Sequence, residues 1–208
     1  MQITKIEQQK KNTSRYSIYV DGEFAVGVHE SVFFSANLHV RDEITSEQIA
    51  DFERQDAVLR AKEAAFNLLK FRQRSTAELR FRLARKDFEP AVVEQVIDGF
   101  CAKGYLDDEK FAREFAKDQL TRKNIGPLRL RSELTKKQVP KSIIENVLSD
   151  IYTKYDPYKL AEQAADKKLA KEKSDDYQTV YRTVSNYLAR RGFSWEIIAD
   201  ILDKKLNR

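Results

Sequence analysis

The chain has 208 residues, 34% charged and 41% hydrophobic, with 38 Lys and Arg against 33 Asp and Glu for a net charge of +5, a balance too apolar for a disordered polymer and too polar for a membrane protein. No stretch approaches the roughly 18 apolar residues of a transmembrane helix, and the opening MQITKIEQQKK lacks the apolar centre of a signal peptide, so a cytoplasmic protein without membrane association is expected. One cysteine, Cys101, leaves no internal disulfide, and two histidines, His29 and His39, cannot assemble a soft-metal cluster, so neither a metal nor a cofactor is expected.

The first region alternates. In YSIYVDGEFAVGV, Tyr16, Ile18 and Val20 share a face, Asp21-Gly22 provides a two-residue turn that tolerates positive φ, and Phe24, Val26 and Val28 continue the apolar pattern on the return. Residues 2–8, with Ile3 and Ile6, are a candidate third strand. A short apolar piece, Ser31 to Leu38, leads to Thr45-Ser46-Glu47-Gln48, whose Thr45 and Gln48 have capping-box spacing and predict a helix start.

From there the pattern is helical and repeats. LARKDFEPAVVEQVI (Leu83 to Ile97), LTKKQVPKSIIENVL (Leu134 to Leu148) and LARRGFSWEIIADIL (Leu188 to Leu202) align without a gap, at offsets of 51 and 54 residues. Val92, Val93, Val96 and Ile97, with their counterparts Ile143, Ile144, Val147, Leu148 and Ile197, Ile198, Ile201, Leu202, follow the stripe of an amphipathic helix. Leu79, Leu130 and Val184 stand four residues before the aligned leucines and predict a preceding helix. A further helix precedes each pair, with Asp56, Asp107 and Asp156 as candidate N-caps and Pro157 at a favoured first position. Ser75 with Glu78 forms a capping box for the second helix of the first unit, and Gly126-Pro127 holds the same place in the next. The expected fold is mainly α: three tandem three-helix repeats over 46–105, 106–155 and 156–208, behind a β-rich hairpin or meander module over 1–45. Units that cannot bury their apolar faces alone must stack, so an elongated array with a long binding surface is expected, as a monomer.

Arg74-Ser75-x-x-Glu78-Leu79-x-x-x-Leu83, Gly104-Tyr105-Leu106-Asp107-Asp108-x-x-Phe111-Ala112, Gly126 and the repeated sequence of basic pair, turn and apolar helix together resemble the RecX family, regulators of the RecA recombinase. The resemblance covers most of residues 56–206, and the β-rich start is similar to the N-terminal extension of longer members. It implies a helical-repeat protein without enzymatic activity that binds RecA and the RecA–DNA filament and limits filament growth. Strand exchange, ATP hydrolysis and co-protease function would be inhibited in turn, in the setting of DNA repair, homologous recombination and the SOS response. One departure is visible. The turn glycine expected before each unit's last helix is present as Gly192, but Asp87 and Gln138 occupy the matching positions and predict helix ends closed differently.

The consecutive carboxylates Asp107, Asp108 and Glu109 invite an acid/base or metal reading, but no nucleophile, histidine or Gly-rich loop accompanies them. As an N-cap and a first helical turn they are explained structurally, and no catalytic or metal-binding residue is assigned. The basic residues carry the candidate partner and DNA-binding face. Residues 1–50 contain five basic and seven acidic residues, so the positive excess belongs to the helical part. Arg85-Lys86, Lys136-Lys137 and Arg190-Arg191 recur near the end of each second helix. They either complement the helix dipole or form a ladder along stacked repeats, and both readings stand. Arg72, Arg74, Arg80, Arg82, Arg122, Lys123, Arg129 and Arg131 surround the second helices of the first two units, with few acids interleaved. Guanidinium forks there suit carboxylate or phosphate, so direct DNA contact accompanies RecA binding as a candidate, and general nucleic-acid binding is the alternative function. Tyr177, Tyr181, Tyr187 and Trp195 could stack on bases, but core or groove packing is the expectation. Cys101, beside Phe100, is expected to be a small buried hydrophobe.

Overall fold

A computed structural model describes residues 1–206. Three antiparallel strands, β1 (Ile3–Gln8), β2 (Arg15–Val20) and β3 (Glu23–His29), are followed by helices α1 (Glu30–Ala36), α2 (Ser46–Phe71), α3 (Thr76–Ala84), α4 (Pro90–Ala102), α5 (Asp108–Lys123), α6 (Pro127–Lys136), α7 (Lys141–Lys154), α8 (Pro157–Leu169), α9 (Tyr177–Arg190) and α10 (Trp195–Leu206). After α1 the helices fall into three successive triplets. The chain forms two compact units, one of Met1–Gln73 with Leu79–Tyr105, the other of Arg74–Glu78 with the chain from Leu106 onward. None of the described helices is long and apolar enough to cross a membrane.

In the first unit the sheet order is β1-β2-β3, and Asp21 and Gly22 both take positive φ in the turn between β2 and β3. Ile3, Ile18, Val20, Val26 and Val28 form the inner face. Phe24 does not join them: the register shifts between Ile18 and Tyr19, and its ring stays exposed beside the turn, edge-on to Tyr19. The piece from Ser31 folds as α1, capped by His29 and closed by Asn37 in the left-handed conformation. Both bonds of the Thr45/Gln48 capping box are present at the start of α2.

The helix predicted to start at Asp56 starts ten residues earlier, and Asp56 lies within α2. The residue is 2% exposed, and its carboxylate accepts bonds from both Arg15 terminal nitrogens at 2.9 Å, from Arg60 Nε at 3.0 Å and from the backbone N–H of His29 at 2.8 Å. A buried charge persists only where its lone pairs are met in this way, and here it fastens the sheet to α2. Cys101 is exposed rather than buried. With about 100° between successive residues, Val92, Val96, Phe100, Val93 and Ile97 span an arc of about 140°, and Cys101 falls near 180°, beyond its edge.

In the second unit one core joins α5 to α10, with Leu130, Leu134, Val184 and Leu188 fully buried, and Leu79 and Leu83 equally so in the first repeat. The expected difference at the helix ends is absent. Asp87, Gln138 and Gly192 share positive φ values of 59°, 54° and 84°. Beyond the last two, Val139 N–H donates to Leu134 O and Phe193 N–H to Leu188 O. The closing position requires the left-handed conformation whatever residue fills it.

Candidate functional site

Each of the three consecutive carboxylates has a structural bond. Asp107 caps α5 by accepting from Lys110 N–H at 2.9 Å, as Asp156 caps α8 through Tyr158 N–H. Asp108 accepts from Thr76 N–H at 2.8 Å, at the start of α3, and Glu109 holds Arg113, which also reaches Asp150. Those two carboxylates hold the Arg113 guanidinium above its usual pKa.

Sequence spacing underestimated how many of the basic residues meet acids. Arg80 Nε and Nη2 grip both oxygens of Glu94, and Arg131 does the same to Glu145, an identical pairing at equivalent places in two repeats. The acids come from the third helix of each repeat, so they are invisible in the local sequence. Arg122 pairs with Asp118, Arg129 and Lys136 with Glu133, and Lys137 with Glu78 at 3.8 Å. Arg74, with its side chain 9% exposed, is ion-paired to Glu78, which makes it part of the packing rather than of an open face. Arg72 turns a guanidinium nitrogen onto the Gln73 carbonyl. Arg85 lies over the Phe81 ring. Among the described residues Arg82, Lys86, Lys123 and Arg190 make no ion pair.

Several of these groups converge in the second unit. Lys123, Arg129, Arg190 and Arg191 line a cleft of about 380 Å3 together with Gln119, Ile125, Glu133 and Tyr187. Gln119, Ile125 and Glu133 carried no sequence signal as site residues. Backbone hydrogen bonds join the segments that carry these residues. Gly126 N–H donates to Arg191 O at 2.8 Å and Leu128 N–H to Gly192 O at 3.1 Å. A Cβ on Gly126 would stand 2.3 Å from Gly192 O, and one on Gly192 would stand 2.1 Å from Arg129 N, so the approach requires both glycines. Asn124, left-handed at φ 46°, ends α5. Its carbonyl faces Arg191 Nη1 at 3.5 Å, while the Arg191 guanidinium sits 4.6 Å from the Tyr187 ring centroid. Beneath, the Tyr152 hydroxyl donates to Ile125 O at 3.1 Å, and burial raises its pKa.

The aromatic residues divide. Tyr181 and Tyr187 pack against the core as expected. Tyr177 and Trp195 are exposed, the latter at 59%. Trp195 opens α10 one turn before its first buried residue, Ile198.

The sequence matches the family described as Regulatory protein RecX N-terminal domain over residues 1–45, and the first, second and third RecX three-helix domains over 61–98, 107–148 and 154–202. Regulatory protein RecX of Bacillus subtilis (strain 168) is 30% identical over 202 residues, 97% of this chain and 76% of the relative. The chain belongs to the RecX family. Regulatory protein RecX of Clostridioides difficile (strain 630) is 29% identical over 205 residues, 99% of this chain and 96% of that one. A crystal structure of regulatory protein RecX superposes with a TM-score of 0.73 at 25% identity, over 97% of this chain and 98% of that one. The cleft's residues therefore come from two RecX modules: Gln119 to Glu133 from the second three-helix domain, Tyr187 to Arg191 from the third.

Proposed function

We propose that this protein acts in the cytoplasm by binding the RecA recombinase and its nucleoprotein filament, limiting filament growth and so restraining strand exchange, ATP hydrolysis and co-protease function. It catalyses no reaction of its own. The observation that carries this reading is the ordered match of all four RecX modules along one chain, joined to relatives named regulatory proteins over nearly their whole length. Exposed basic groups on successive repeats, Arg82 and Lys86 in the first, Lys123 and Lys136 in the second and Arg190 in the third, support binding to an acidic, repetitive surface. The bonds of Asp107, Asp108 and Glu109 to the helix frame give those carboxylates a sufficient structural role.

Co-sedimentation with RecA filaments and with bare DNA over a salt series tests the reading. Retention on filaments under conditions where bare DNA no longer holds the protein is expected. Tight binding to bare DNA with no added affinity for RecA would replace it with general nucleic-acid binding.

A further inference from the structure

We infer that the groove between α2 and α4 is the docking site for an acidic amphipathic helix of a protein partner, with Lys62, Phe66, Gly99 and Tyr105 as its contacts. The inference rests on the RecA reading above and names the surface that meets that partner. It begins with a comparison between repeats. At the 51-residue offset that aligns the first two repeats, Lys62 on α2 corresponds to Arg113 on α5, and Gly99 on α4 to Asp150 on α7. Ala61 and Ala65 in one copy, Ala112 and Ala116 in the other, are fully buried and fit that register. In the second repeat Arg113 Nη2 donates to Asp150 Oδ2 at 2.7 Å and bridges the two helices. In the third, Lys205 on α10 reaches Glu162 at 3.7 Å and Asp166 at 2.6 Å on α8. The first repeat has no such bridge among the described residues: Lys62 makes no ion pair, and a glycine holds the place of the acid.

Packing within the chain gives no reason for Gly99. It lies inside α4, the turn that ends this helix is made by Gly104 at φ 71°, and a Cβ on Gly99 would meet no heavy atom within 4 Å. An interior glycine weakens a helix relative to alanine. Its presence is explained by the close approach of another backbone, which a side chain would hold off. The surroundings specify the chemistry of that neighbour. On α2, Gln55, Leu59, Lys62 and Phe66 fall within an arc of about 60° and a length of about 16 Å, three helical turns. None of the four is acidic. At one end Val32, Gln55, Leu59, Lys62 and Gln95 line a cavity of about 300 Å3, and Gly99 stands one turn beyond Gln95 on the same side of α4. At the other end Phe66, Phe100 and Tyr105 pack together with ring centroids 4.7, 5.2 and 5.4 Å apart. Phe100 is buried, while Phe66 and Tyr105 are 47% and 53% exposed, so an apolar platform is in place before anything binds. Lys117 and Asp166 take the place of Phe66 in the other repeats, which makes the platform peculiar to the first. A carboxylate on the incoming helix completes with Lys62 the ion pair that the other repeats make internally, and an apolar residue one turn along covers the aromatic rings.

The test is biolayer interferometry on the immobilised full chain, with DNA-free RecA and an oligothymidylate as separate analytes. Lys62→Glu and Gly99→Asp, the latter copying the second repeat, should each weaken RecA binding by about tenfold. Gly99→Ala should melt about 2–4 °C higher than wild type, because alanine favours the helix, and yet bind RecA several-fold more weakly. The control Lys171→Glu, an exposed charge reversal in the second unit, should keep wild-type affinity for RecA. Oligothymidylate binding by the groove variants should fall no further than in this control. Wild-type RecA affinity in Lys62→Glu or Gly99→Asp, a lower melting temperature in Gly99→Ala, or a loss on oligothymidylate as large as that on RecA would overturn the inference and leave the RecA reading standing. A wild-type chain without affinity for RecA would overturn both.

Discussion

Asp108, in the first turn of α5, accepts a hydrogen bond from the backbone N–H of Thr76 at 2.8 Å and so closes the start of α3, thirty-two residues earlier in the chain. One carboxylate thereby serves two helix starts, by charge at its own and by direct bonding at the other. Asp108→Ala should lower stability by about 1–2 kcal/mol in chemical denaturation, and Asp108→Asn should recover most of it, because an amide oxygen also caps. Asp107→Asn should retain regulatory activity for the same reason, and a folded Asn variant without activity would reopen a chemical role for the cluster.

Gly192 and Gln138 share a backbone conformation but differ in what adjoins them. Gly192→Ala places a Cβ against the Arg129 backbone, and the forced shift together with left-handed strain should cost about 2–4 kcal/mol. Gln138→Gly relieves left-handed strain and should be neutral or gain up to about 1 kcal/mol. Thermal melts of the two variants separate the requirement for close approach from the requirement for conformation.

Removing one partner of the buried Asp56 cluster leaves charge without compensation. Asp56→Ala should destabilise by about 3–5 kcal/mol, measured by urea unfolding, and Arg15→Met by less, because Arg60 and the His29 N–H still bind the carboxylate. Asp56→Asn keeps the oxygen for His29 N–H but loses the charge pairing, so an intermediate loss is expected.

The Arg80–Glu94 fork has a signed pH dependence. Its hydrogen bonds hold the Glu94 carboxyl below the ordinary value of 4.5, so the pair contributes stability above that value and loses it as pH falls through the folded one. The stability gap between wild type and Glu94→Gln should therefore be present at neutral pH and close in acid. A gap that stays constant down to acid pH would contradict the assignment.

The sequence made periodic features legible and paired features illegible. The aligned leucines and the stripe from Val92 to Ile97 could be read because burial imposes a helical period on one strand of text, and the Asp21-Gly22 turn because its φ angles restrict residue choice. Asp56 has the look of a cap because it stands near a repeat boundary, and its real partner, Arg15, lies 41 residues away in the sequence. Arg80 and Arg131 looked free of acids for the same reason. Cys101 and Trp195 lie at helix ends, where the stripe no longer tells whether a neighbour is present. The basic cleft is built by long-range pairing: Arg129 and Arg190, 61 positions apart, border one space.

The most direct test is the rate of RecA-catalysed ATP hydrolysis on single-stranded DNA as this protein is titrated in during filament assembly. A dose-dependent fall that is complete below a one-to-one ratio to RecA is expected, because one bound regulator stops further growth of a filament. An unchanged rate, with the protein folded and in excess over RecA, would contradict it.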